Sequence, residues 1–260
     1  MQNIDPLFIL EPIVVIGFSL ALVLYWHRKH SISRAVLAFS LLAYGGAIAV
    51  KLLFQYVTAP FLLPRFSGSD WLLGLYLGLQ TVVFEVGGAF LVSRFAVSKG
   101  KMRGSDAEGY GLSLALWENG GLIGALALIN VLYYAAVISS GGPMADYLYG
   151  LLSKTQPQLF YSPLEATPLI AWGILERVGS LLVHFSWGYL CVKSAYEHRK
   201  EYFLLALPMG MIDFLVPFVQ GLTVPIFECT VFVLSVVCLI VSLEVTRPKK
   251  KPSRVKRSKE

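Results

Sequence analysis

Long apolar stretches, separated by short polar segments, run along nearly the whole chain. Seven can be read, near Leu7–Trp26, Ala35–Val57, Trp71–Val97, Tyr110–Ile138, Thr167–Val192, Phe203–Leu222 and Pro225–Val245. At 1.5 Å of rise per residue each is long enough for the roughly 30 Å of a bilayer's hydrocarbon core. The pattern predicts an all-α polytopic membrane bundle of about seven transmembrane helices. The first stretch reads as a retained span. It has no basic leader, carries Glu11 and Pro12, and ends in Tyr25-Trp26 instead of a small-residue cleavage site. The long segment around Ser139–Ala166 is either a lid or a connection. Residues 1–245 are expected to form one membrane-embedded domain, followed by a disordered basic tail over 246–260.

Composition agrees with this pattern. Of the 260 residues 56% are hydrophobic and 15% charged, with a mean hydropathy of +0.65. About a quarter charged is usual for soluble domains, so a soluble α/β enzyme is excluded. The formal net charge of +6 first points to nucleic acid, but the positions of the cations remove that reading. Eighteen of the 22 Lys and Arg fall in 27–34, 94–109, 193–201 and the tail from Arg247. These are alternate inter-helix segments, and the positive-inside rule then puts the N-terminus outside and the C-terminus inside. The tail is expected to touch anionic lipid headgroups. No nucleic-acid partner is expected, because no aromatic residue interleaves the basic ones. Cys191, Cys229 and Cys238 form no C-x-x-C pair and read as packing residues.

Ionisable residues inside a bilayer are costly and mark functional positions. Glu85 lies nine residues before Arg94, Glu118 eight after Tyr110, His184 nine before Lys193 and Asp213 eleven after Tyr202. All four are predicted roughly 12–17 Å from the inner boundary, a polar level in the inner half of the bilayer. A second level, nearer the outside, holds Lys51, Glu176 and Arg177, and it reads as a structural ion-pair network that fixes helix register. Glu176, Ser180 and His184 form a stripe at i, i+4 and i+8 that must face the bundle interior. Small-residue pairs, Gly74-x-x-x-Gly78 and Gly120-x-x-x-Gly124, predict close helix contacts. Pro208 and Pro217 flank Asp213 and predict an irregular sixth span.

The inner level has the residue types of general acid–base chemistry, with a Glu to activate water and a His to stabilise an oxyanion or bind a metal. Glu85, Glu118 and His184 are the candidate catalytic residues, and His184 with Asp213 the candidate metal ligands. Catalytic zinc usually takes three protein ligands rich in His. His184 is the one His within a span, so a metal-free site is preferred over zinc. The same acids would also suit a proton or cation pathway, although no internal repeat of the transporter kind is present.

These residues resemble the motifs of the YhfC-like and PrsW-like branch of the CAAX-protease superfamily, proposed intramembrane peptidases of prokaryotes. Glu85-Val86-Gly87-Gly88-Ala89 is similar to its Glu-Glu-Gly-Gly-Arg motif. Gly111 to Glu118 is similar to its Gly-x-Gly-His-Gly-Gly-x-Glu helix, and Glu176-Arg177 with His184 matches its Glu-Arg and a His seven residues on. Met209 and Asp213 stand where the family has His and Asp or Asn. Val86, Ala89, Leu114 and Met209 depart from the pattern, and two of the departures remove histidines. The resemblance implies a multi-pass protein of the prokaryotic plasma membrane that cuts membrane-associated proteins or peptides near the inner leaflet, with Glu85 as the catalytic Glu. The departures imply the alternative, a non-catalytic binding or scaffold protein on the same fold.

Overall fold

A computed structural model describes residues 4–66, 68–221 and 223–247. The basic tail beyond Arg247, with its expected disorder and lipid contact, lies outside the described residues. The described chain is helical, without strands. Seven helices are long and apolar enough to cross a membrane: α1 (Pro6–His30), α2 (Arg34–Phe66), α3 (Asp70–Ser98), α4 (Gly104–Ser140), α6 (Pro163–Glu197), α7 (Lys200–Val219) and α8 (Val224–Val245). An extra helix, α5 (Pro143–Thr155), lies between α4 and α6.

Local chemistry sets several boundaries. Ser69 accepts the Leu72 N–H at the start of α3. Ser162 and Glu165 form a capping box ahead of α6, with Pro163 in its first turn. Ser31 and His198, in the left-handed region, close α1 and α6. Short turns make successive spans antiparallel, so the cation-bearing segments share one end. There Gly109 packs on Ile32, Gly104 on Tyr196, and the Tyr189 hydroxyl lies 2.8 Å from Thr246 Oγ1.

The segment Ser139–Ala166 is a folded connection. Its Leu152 and Leu159 join Ile4, Phe8, Ile138 and Ile170 in a small apolar cluster at the opposite end of the bundle.

Lipid tails are as apolar as Leu, so close packing of small residues holds helices together. Two crossings matter most. A Cβ on Gly111 of α4 would lie 2.5 Å from the Phe185 carbonyl oxygen of α6, and one on Gly188 would lie 2.9 Å from Gly111 Cα. Only glycine allows these backbones to touch. In the same way a Cβ on Gly74 of α3 would lie 2.5 Å from the Phe214 carbonyl oxygen of α7, and Gly78 faces Met211 and Phe214. Tyr110, Leu114, Trp187 and Leu190 fill the main core beside the α4–α6 crossing.

Candidate functional site

Both crossings deliver ionisable residues to one level. On α3, Gly74, Gly78, Thr81 and Glu85 follow at i, i+4, i+7 and i+11, so the face that packs on α7 continues into polar residues. On α4 and α6, Glu118 follows Gly111 by seven residues and His184 precedes Gly188 by four. Glu85, His184 and Asp213 each lie 13 residues from the cation-rich end of their helix, and Glu118 lies 14, about 20 Å along the axis. The helices run past the apolar stretches by several residues, which adds to this distance.

The helices are irregular here. Thr81–Val86, holding Glu85, and Leu116–Gly124, holding Glu118, are π-helical. Leu207–Gly221, holding Asp213, is a 15-residue 3₁₀ run, far beyond the usual three or four residues. Pro208 and Pro217 lie within that run. Such interruptions often accompany functional sites.

The site has two halves. In the first, Lys51 of α2 donates to Glu85 Oε1 at 2.6 Å, Thr81 Oγ1 at 2.8 Å and Asp213 Oδ2 at 3.3 Å, using all three ammonium donors. The Thr81 hydroxyl donates to Asp213. In the second, His184 Nε2 lies 2.5 Å from Glu118 Oε2 and 3.4 Å from Glu85 Oε2. His184 Nδ1 lies 2.9 Å from the Ser180 carbonyl; a carbonyl only accepts, so Nδ1 carries a proton. The Nε2–Oε2 approach is a close ion-pair contact without hydrogen-bond geometry, and Glu118 Oε2 is buried with no hydrogen-bond partner among the described residues. Trp187 and Tyr44 pack against the imidazole, with ring centroids 4.1 and 6.1 Å away.

Lys51 therefore belongs with Glu85 and Asp213, and the expected network of Lys51, Glu176 and Arg177 does not form. Lys51 lies 17 residues from Arg34, only about 6 Å beyond the other residues' level, and its long side chain spans the gap. Arg177 instead pairs with Glu176 and lies 3.7 Å from Glu118 Oε1.

A cavity of about 90 Å³ opens beside the second half, walled by Glu118, Glu176, Arg177, Ser180, His184 and Asp213, with Val216, Phe227 and Val231 as apolar lining. No residue of 139–162 reaches it, so that segment is not its lid. Glu85, only 8% exposed, is absent from the lining, and both its oxygens are engaged.

A model of the YhfC intramembrane metalloprotease family matches residues 12–230. The chain belongs to that family. This makes it an integral membrane protein of an intramembrane peptidase family. No curated protein and no solved structure matches it.

The family description implies a metal, and the donors present do not fit one. Among the described residues no group of three or more His, Cys, Asp and Glu is arranged to hold a metal ion. Leu114 and Met209, one turn before Glu118 and Asp213, carry no ligand and are buried in the main core. A cation already stands between Glu85 and Asp213, the Lys51 ammonium. His184 keeps candidate standing as an acid–base residue, and Asp213 is taken up by Lys51 and Thr81.

Proposed function

We propose that the protein is a metal-independent intramembrane peptidase in which Glu118 and His184 handle the protons of peptide-bond hydrolysis. The observation that carries this reading is the 2.5 Å approach of His184 Nε2 to Glu118 Oε2 in a cavity wall. A buried carboxylate without a hydrogen-bond partner, in contact with an imidazole, can accept a proton from water and return one to a leaving amine. Water would add to the scissile carbonyl carbon while the pair takes its proton. The C–N bond would then break as the pair protonates the amine nitrogen, leaving a carboxylic acid and an amine. Arg177, across the same cavity, supplies donors for the oxyanion. Glu85, fixed by Lys51, faces His184 from the other side and orients the ring.

The substrate class is a membrane-associated protein or peptide, cut at the level of the polar site, in the plasma membrane of a prokaryotic cell with the N-terminus outside. Ligand pockets usually measure several hundred Å³, so about 90 Å³ accommodates water before a peptide. Substrate access then needs the 3₁₀ run of α7 to move from α6 and α8. The test compares membrane peptide profiles of cells carrying the parent protein, Glu118→Gln and His184→Ala. Peptides lost in both variants support the reading, and unchanged profiles in both refute it.

The small cavity and the engagement of both Glu85 oxygens also favour a second reading, a binding or scaffold protein on the peptidase fold. In that case both variants leave the profiles unchanged while altering which membrane proteins co-purify.

A further inference from the structure

At the cation-rich end a separate cavity of about 560 Å³ lies between the last turns of α3, the end of α6 and the start of α7. Its rim carries Arg94, His198 and Lys200, and its apolar side carries Phe90, Phe203 and Leu204. Phe90 and Phe203 stack with centroids 4.1 Å apart and planes inclined by 19°, forming a firm aromatic floor. No carboxylate lines it.

The cavity joins uncompensated positive charge to an apolar wall. Neighbouring cations on the same elements have partners within the chain. Lys193 pairs with Glu197 at 3.6 Å and Arg199 with Glu201 at 3.8 Å, and Arg199 also donates to the Tyr202 hydroxyl. Arg94 and Lys200, which face the cavity, make no ion pair among the described residues. Three basic residues, Arg94, His198 and Lys200, thus stand on one rim of a cavity that no carboxylate lines. The volume lies within the range of small-molecule sites, and Leu204 is 61% exposed on the outer wall.

We propose that this cavity is a binding site for one anionic phospholipid. Its phosphate sits among Arg94, His198 and Lys200, and an acyl chain lies along Leu204 and the Phe90–Phe203 floor. Basic pockets between membrane helices recognise anionic headgroups in this way. A guanidinium supplies paired donors to phosphate oxygens, and the apolar wall distinguishes a lipid from a free phosphate. The inference is independent of the proposed reaction, since no residue lines both cavities.

The test titrates full-length protein, in neutral detergent, with phosphatidylglycerol, phosphatidylcholine, glycerol 3-phosphate and inorganic phosphate, reading bound ligand by native mass spectrometry. Arg94→Gln with Lys200→Gln is compared with Lys99→Gln with Lys101→Gln, which removes two exposed cations of the same end that do not line the cavity. Size-exclusion profiles check that both variants remain folded. One phosphatidylglycerol per chain is expected, weakened roughly twenty-fold by the first pair and less than about three-fold by the second. Equal binding of phosphatidylcholine, equal loss in both variants, or equal affinity for glycerol 3-phosphate or inorganic phosphate would overturn the proposal.

Discussion

The α4–α6 and α3–α7 crossings are built alike and end differently. Each brings two backbones together over glycine and each places acids at the middle of the bundle. At the α3–α7 crossing the ammonium of Lys51 meets Glu85, Thr81 and Asp213 at once, leaving no donor unused. At the α4–α6 crossing Glu118 Oε2 touches His184 beside a cavity without a hydrogen-bond partner among the described residues, and Arg177 lies farther off. The lesson is that burial alone does not mark the reactive group. A buried carboxylate with both oxygens engaged holds structure, while one with an unpartnered oxygen next to open space can take up and release a proton.

The largest expected effects break this contrast outright. Glu118→Gln should reduce peptide cleavage by about 10²–10⁴-fold, the usual contribution of a positioned acid–base group, with thermal unfolding in detergent little changed. Lys51→Met should do the reverse to stability. It leaves Glu85 and Asp213 without their buried counter-charge and should cost about 3–5 kcal/mol, read as a lower unfolding midpoint. Adding Glu85→Gln should restore part of that loss, and strict additivity of the two substitutions would show that they are not coupled.

A smaller effect sharpens the comparison. Gly111→Ala and Gly74→Ala each push a methyl group onto a carbonyl oxygen and should each cost about 1–3 kcal/mol. Only Gly111→Ala should also change activity beyond its effect on folded protein, because it alone separates Glu118 from His184. Cleavage rates normalised to folded protein decide this. Smallest is Glu176→Gln, at the half-exposed pair with Arg177, expected to change stability by about 0–1 kcal/mol. A larger loss would make that pair part of the site's framework.

Much of the architecture was legible in the sequence because lipid imposes a simple rule, about twenty apolar residues per crossing. The seven spans, and the common level of Glu85, Glu118, His184 and Asp213, follow from counting. The pairing of Lys51 did not. Counting from Arg34 and Arg94 ignored that α3 continues to Ser98, and depth along a helix says nothing of how far a lysine reaches. The π-helical stretches around Glu85 and Glu118 leave no clear residue signature, since they depend on packing by neighbouring helices. Pro208 and Pro217 did signal irregularity around Asp213, but a kink and a 15-residue 3₁₀ run look the same in sequence. Helix α5 was hidden in a segment rich in Gly and Pro; it packs chiefly on the preceding helix α4, and only its share of the apolar cluster with Phe8 and Ile170 is long-range. The lipid cavity was hidden for another reason. Arg94 and Lys200 read as topology signals like every other cation, and only their place on the rim of one cavity sets them apart.

The central claim is that Lys51 provides the fixed cation of this site and that Glu118 and His184 work without a metal. The most direct measurement is the metal content of the purified full-length protein after equilibration with zinc and removal of the excess. It is made on the parent protein and on His184→Ala, with cleavage assayed alongside in the presence of a chelator. The account predicts substoichiometric zinc in both proteins and cleavage that resists the chelator. One zinc per chain, lost in His184→Ala together with chelator-sensitive cleavage, would contradict it.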